Sequence, residues 1–163
     1  MIVVSNTSPL TNLAAIKQLE LLRALYGHIH VPTGVREELS VESGASSPGS
    51  SEIAAARWIE YHSVQNQALV HALQRDLDRG ESEAIALGVE LGAGLVLMDE
   101  KEGRRAACRI GLRVVGVVGV LLDAKSKRLM DMVRPQLDSL RQNAGFYLSD
   151  AVYQLALRRA NEA

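Results

Sequence analysis

Apolar and polar positions along the chain switch between two rhythms. Short β-branched or aliphatic runs read as strands: Ile2-Val3-Val4-Ser5, Ile29-His30-Val31, Ile59 to Val64, Leu95-Val96-Leu97-Met98 and Arg113-Val114-Val115-Gly116. Such runs, apolar on consecutive positions rather than alternate ones, are those of strands covered on both faces. Between them, apolar residues recur at helical spacing. Ser8 is expected to cap a helix with Pro9 at its first position, continuing through Leu10, Leu13, Ala14 and Ile16. Further helices are expected over Leu19 to Tyr26, Thr33 to Leu39, Glu52 to Trp58, Ala68 to Leu77, Gly80 to Leu91 and Glu102 to Ile110. The last third should be helical over Val117 to Lys127, Met130 to Ala144 and Asp150 to Asn161, the last capped by Ser149.

Strands that alternate with helices predict an α/β domain: a central parallel sheet with helices on both faces. The Ser/Gly-rich stretch over 43–51 (SGASSPGSS) is expected to be a flexible surface loop rather than a boundary, so residues 1–163 are expected to form a single domain.

Composition narrows the picture only a little. The chain has 163 residues, of which 47% are hydrophobic and 23% charged, enough for an ordinary aliphatic core. A net charge of -1 predicts no strong general attraction to nucleic acid or membrane, though a local basic patch is compatible with RNA. The lone Cys108 excludes an internal disulfide and a cysteine-rich zinc site, and is expected to be buried. The sequence carries no apolar run long enough to span a membrane and no signal-peptide layout at Met1, so no membrane partner and a cytoplasmic location are expected. There is no phosphate-cradling loop and no nucleophile elbow.

In a parallel sheet, ligands gather outside the carboxyl ends of the strands. Asn6 and Asp99 each fall just after such an end. Glu38 and Glu81 sit on helices that could bring them to the same place. Separated oxygen donors that converge suit a hard divalent cation used in phosphoryl chemistry. Each residue also has a plainer reading. Asn6 could cap a turn, Glu38 could be a solvated helix charge, Glu81 could answer a helix dipole, and Asp99 could be an N-cap. Lys101, Arg104, Arg105 and Arg109 share one helix, either as a solvated face or as a phosphate-positioning patch. His28, His30, His62 and His71 show no trusted ligand spacing and receive no role.

Four segments in order carry a family resemblance. They are Val4-Ser5-Asn6-Thr7-Ser8-Pro9-Leu10, Val31-Pro32 with Val35-Arg36-Glu37-Glu38-Leu39, Gly80-Glu81-Ser82-Glu83-Ala84-Ile85-Ala86-Leu87, and Leu97-Met98-Asp99-Glu100. Together they resemble the PIN domain, in the small prokaryotic branch catalogued as DUF3368 and related to VapC-type toxins. The resemblance implies a three-layer α/β/α sandwich and a Mg²⁺- or Mn²⁺-dependent ribonuclease acting as the toxin of a toxin–antitoxin pair. It places the metal-binding and catalytic positions at Asn6, Glu38, Glu81 and Asp99, with Glu83 the rival of Glu81 and Glu102 an outer ligand. Thr7 and Ser8 would bind the substrate phosphate or a metal-bound water. It further implies RNA as substrate, a homodimer and an antitoxin protein as partner; Leu121, Leu122, Leu129, Met130, Met132 and Val133 in the helical last third either offer apolar surface to such a partner or fill the core. The family's first acid falls on the amide Asn6. A second reading is therefore a PIN-fold RNA-binding or interaction module with weakened catalysis. A receiver-type α/β protein ranks last, because Ser5 and Asn6 do not supply the acidic pair it needs after its first strand.

Overall fold

A computed structural model describes residues 1–42 and 49–163, which form five strands and ten helices. The elements are β1 Val3–Ser5, α1 Thr7–Ala15, α2 Glu20–Tyr26, β2 Ile29–Pro32, α3 Thr33–Glu42, α4 Ser50–Ala55, β3 Ile59–His62, α5 Gln67–Leu73, α6 Arg79–Leu91, β4 Leu95–Leu97, α7 Lys101–Ile110, β5 Val114–Val115, α8 Val117–Ser126, α9 Arg134–Gln142 and α10 Asp150–Arg159. All strand pairs are parallel and the sheet order is β3-β2-β1-β4-β5. This is the expected three-layer α/β/α architecture.

The strands are apolar on consecutive positions because both faces are covered. Val3, Leu95, Leu97, Ile29, Val31 and Ile59 point into one layer, with Leu13, Leu22, Leu121 and Leu137. Val4, Val96 and Met98 point the other way, against Ala84, Ile85 and Ala107. Side chains of one strand alternate between faces, so neighbouring residues serve different cores. The chain turns to one side after β1 and to the other after β4, so the sheet order reverses between these two central strands. That switch point is where a parallel sheet opens a crevice at its carboxyl edge. Asn6 N–H donates to Leu97 O at 3.0 Å and ties the two strand ends together.

Several local expectations are corrected. Helix α1 begins at Thr7, Asn6 takes the N-cap position without a side-chain cap, and Pro9 is the third helical residue. Proline is accepted there because the first-turn N–H groups have no partner within the helix. The helix expected over Met130 to Ala144 is shorter, Arg134–Gln142, and starts with Pro135 in its first turn. Pro135 has no N–H to bond the carbonyl of residue 131 and its ring would clash with it, so it is accepted in the first turn but not further inside a helix running on from Met130. The start of α9 is capped from afar: the Glu162 carboxylate accepts Val133 N–H at 2.7 Å and Arg134 N–H at 3.0 Å, and pairs with Lys125 at 2.8 Å. Cys108 is exposed rather than buried, because it lies on the outer side of α7 while Ala107 faces the core. Of the loop expected over 43–51, residues 43–48 lie outside the described residues, while Ser50 and Ser51 already belong to α4. In the apolar stripe of the last third, Leu121 and Val133 fill the core, whereas Leu129 and Met132 stay exposed. Among the described residues no helix is long and apolar enough to cross a membrane.

Candidate metal centre

The switch point draws acidic side chains from three elements and an amide from a fourth. Asn6 follows β1, Glu38 lies on α3, Glu81 in the first turn of α6, and Asp99 and Glu100 follow β4. Asn6, Thr7 and Glu81 are buried, although all three are polar.

Each side chain is held by a local reason. Asp78 caps α6, its carboxylate accepting Glu81 N–H at 2.8 Å, which fixes where Glu81 leaves the helix. Gly80 leaves room for Glu38: a Cβ at position 80 would collide with Glu38 Oε1. Thr7 Oγ1 donates to Glu38 Oε2 at 2.5 Å, so the start of α1 orients the α3 acid. Asn6 Nδ2 donates to Glu100 Oε2 at 3.1 Å. Asp99 Oδ1 accepts Val117 N–H at the start of α8 at 2.8 Å, and Ser8 Oγ donates to Oδ2 at 3.4 Å. Arg104 bends back from α7 to donate to Met98 O at 3.2 Å, beside Asp99.

The electrostatics link Glu81 to Glu38 and Glu100, and Asp99 to Glu100. Burial first, then the carboxylates of Asp78, Glu100 and Glu38, push the Glu81 carboxyl up from an ordinary 4.5 to about 7. Every influence on Glu81 acts in that direction. Burial pushes Asp99 up from 3.8 to about 6, with Glu100 adding to the rise. Val117 N–H, Arg104 and Ser8 pull Asp99 back without cancelling it. Crowded carboxylates with little positive charge among them are the arrangement a divalent cation stabilises.

One further atom fits that reading. Asn6 Oδ1 is buried and has no hydrogen-bond partner. The amide uses its nitrogen on Glu100 and leaves an oxygen unsatisfied, which is a costly state for a buried acceptor. A hard cation takes neutral amide oxygens as well as carboxylates, so the donor set present here suits Mg²⁺ or Mn²⁺.

Of the residues singled out from sequence, Glu38 acts on Glu81 directly, Asn6 is linked to Glu81 through Glu100, and Asp99 has both carboxylate oxygens bonded to protein groups and also feels Glu100. Glu83 does not join them. Its carboxylate accepts Gly34 N–H at 3.0 Å and Arg79 Nε at 2.6 Å, while Arg79 also pairs with Glu37. Glu102 stays on the exposed side of α7 and pairs with Arg105 at 3.3 Å. Arg104 is thus separated from Arg105, and the expected basic face is divided between pocket and solvent. Sequence reasoning passed over Glu100, which follows Asp99 directly. Because α7 begins at Lys101, Glu100 takes the N-cap position with extended backbone, and its side chain turns toward Asn6 instead of capping.

The PIN-domain family DUF3368 matches residues 2–162, and the chain belongs to that family. No curated protein matches the chain. PIN domains are a nuclease fold whose members are in general metal-dependent, in keeping with acids clustered at a switch point.

Proposed function

We propose that the protein is a Mg²⁺- or Mn²⁺-dependent ribonuclease hydrolysing phosphodiester bonds in single-stranded RNA. The observation that carries this is a buried Glu81 carboxyl raised by Glu38 and Glu100 from two other elements, with Glu100 bonded to an Asn6 whose buried amide oxygen has no partner. These four would hold the cation, with Asp99 at the margin. A cation there would supply an activated water and neutralise charge on the phosphorus oxygens. Thr7 keeps the Glu38 carboxylate oriented, Asn6 does the same for Glu100, and Asp78 sets the direction of Glu81. Glu100 also answers the charge missing at Asn6. Four carboxylates (Glu38, Glu81, Asp99, Glu100) remain at the centre although the position after β1 is an amide.

A groove of about 520 Å³ runs from Asp99 past Arg104, Gly116, Tyr147 and Arg159. Tyr147 is 87% exposed, so its ring faces solvent unpaired. Two guanidinium groups and an open aromatic ring suit a phosphate backbone with a base stacked beside it. A toxin role, an antitoxin partner and a homodimer belong to the proposal on family resemblance, with Leu129 and Met132 as available apolar surface.

The test is cleavage of a single-stranded RNA by purified protein with Mn²⁺ and with chelator. Cleavage that needs Mn²⁺ and disappears in Glu81→Gln supports the proposal. Tight RNA binding with no cleavage under any metal overturns it in favour of the weakened binding module.

A further inference from the structure

A second group of ligand atoms lies away from the acidic centre, at the edge of the sheet. In β2 and β3, His30 is in register with Glu60, and Pro32 with His62. His30, Glu60 and His62 therefore fall on one face of two adjacent strands, β3 being the edge. His30 Nδ1 lies 2.9 Å from His62 Nε2 and 3.2 Å from Glu60 Oε2. One ligand atom from each of the three lies within 4.8 Å of the others.

This spacing is hard to explain by hydrogen bonding alone. An imidazole Nδ1 has one in-plane position, holding either a proton or a lone pair. Protonated, it can donate well to only one of its two neighbours. Unprotonated, it turns a lone pair toward the Glu60 carboxylate. A cation among the three atoms removes the conflict, because all of them are then donors to it. Ligands at about 2.0–2.1 Å in a tetrahedron stand roughly 3.3 Å apart, close to the 2.9 and 3.2 Å found here. Burial lowers the His30 pKa against the opposing pull of Glu60, in keeping with a neutral, ligating ring. His28 Nδ1 lies 3.9 Å from the other carboxylate oxygen, Glu60 Oε1.

We propose that His30, Glu60 and His62 form a binding site for a borderline divalent cation of the Zn²⁺ class, pinning edge strand β3 to β2. Two imidazoles and one carboxylate select Zn²⁺ or Co²⁺ over Mg²⁺, which prefers oxygen donors. Three protein ligands leave a fourth position to water on the open side, where Glu60 is half exposed. The site is independent of the acidic centre in residues and in preferred metal.

The experiment is titration of chelator-treated protein with Co²⁺, followed by its visible absorption, and then with Zn²⁺. The expected result is one equivalent of four-coordinate Co²⁺ with an intense visible band, displaced by Zn²⁺, and a rise in melting temperature on Zn²⁺ addition. His62→Ala should weaken binding at least about 100-fold, beyond the loss typical of an outer-sphere partner. Glu60→Gln, at a half-exposed position on the edge strand, gives the same reading where His62→Ala disturbs folding. Glu81→Gln should leave the band intact. An absent band in the wild-type protein, an undiminished band in folded His62→Ala or Glu60→Gln, or its loss in Glu81→Gln would each overturn the proposal.

Discussion

Glu81 and Glu83 lie two residues apart in the first turns of α6, and both are buried, yet they meet opposite surroundings. Glu83 faces α3, where Gly34 N–H answers its charge together with Arg79 of its own helix, and Arg79 ties the corner to Glu37 on α3 as well. Glu81 faces the switch point, where Asp78, Glu100 and Glu38 all add to its repulsion. The first corner is complete as protein. The second meets no positive group that offsets its charge; a proton, or the cation of the proposed function, would answer it. The difference teaches that burial of an acid alone does not identify a functional group; the absence of compensating charge and donors does. The same contrast recurs at Glu162, whose Lys125 partner and two backbone N–H donors make it a structural clamp.

The largest effect expected from this contrast is on turnover. Glu81→Gln should lower RNA cleavage at least about 100-fold, the scale of losing one preorganised electrostatic group, while the melting temperature stays level or rises. Glu83→Gln should do the reverse. By weakening charge-assisted bonds to Arg79 and Gly34 it should destabilise the fold by about 2 kcal/mol in chemical denaturation, with cleavage per folded molecule much less affected. If both substitutions acted alike, the two corners would not differ in kind.

A finer probe is Gly80→Ala. Alanine is the better helix former by about 1 kcal/mol, but its Cβ would displace the Glu38 carboxylate. The expectation is a fold of nearly unchanged stability with cleavage reduced about tenfold, the lower end of what misplacing a supporting group costs. Unchanged cleavage would show that Glu38 does not need the position it holds.

The smallest effect is a pH dependence. Glu81 and Asp99 have folded pKa values raised to about 7 and 6, above their ordinary values of 4.5 and 3.8. The folded protein therefore binds more protons than the unfolded chain between about pH 4 and 7, and metal-free stability falls as pH rises through that window. Thermal melts at pH 5 and pH 8 should show a lower midpoint at pH 8 from these two groups. Mg²⁺ should raise the midpoint more at pH 8 than at pH 5, because the deprotonated carboxylates bind it. At Glu83→Gln the Mg²⁺ shift should survive, and at Glu81→Gln it should shrink.

Much of the fold was legible because each strand is a short apolar run and both faces of the sheet are covered, a pattern that needs no long-range information. Boundaries failed where a distant group intervened. Helix α9 starts late because of Pro135, and its free N–H groups are met by Glu162, which no local window contains. At the site, Asp99 stood out at the tip of an apolar strand, whereas Glu100 did not, since its direction depends on where α7 begins. The choice between Glu81 and Glu83 depends partly on which side of α6 meets Gly34 of α3, a matter of packing, while the Arg79–Glu83 pair is an i,i+4 spacing that the sequence does carry. His30 and His62 are 32 positions apart and meet only through the register of β2 and β3, so their proximity had no signal along the chain.

Direct Mn²⁺ binding, followed by the loss of the free-ion electron paramagnetic resonance signal at pH 8, bears most closely on the acidic centre. The wild-type protein and Glu83→Gln should both take up the ion, and Glu81→Gln should leave it in solution. Equal uptake by Glu81→Gln and wild type, or none by wild type, would contradict a cation held between Asn6, Glu38, Glu81 and Glu100.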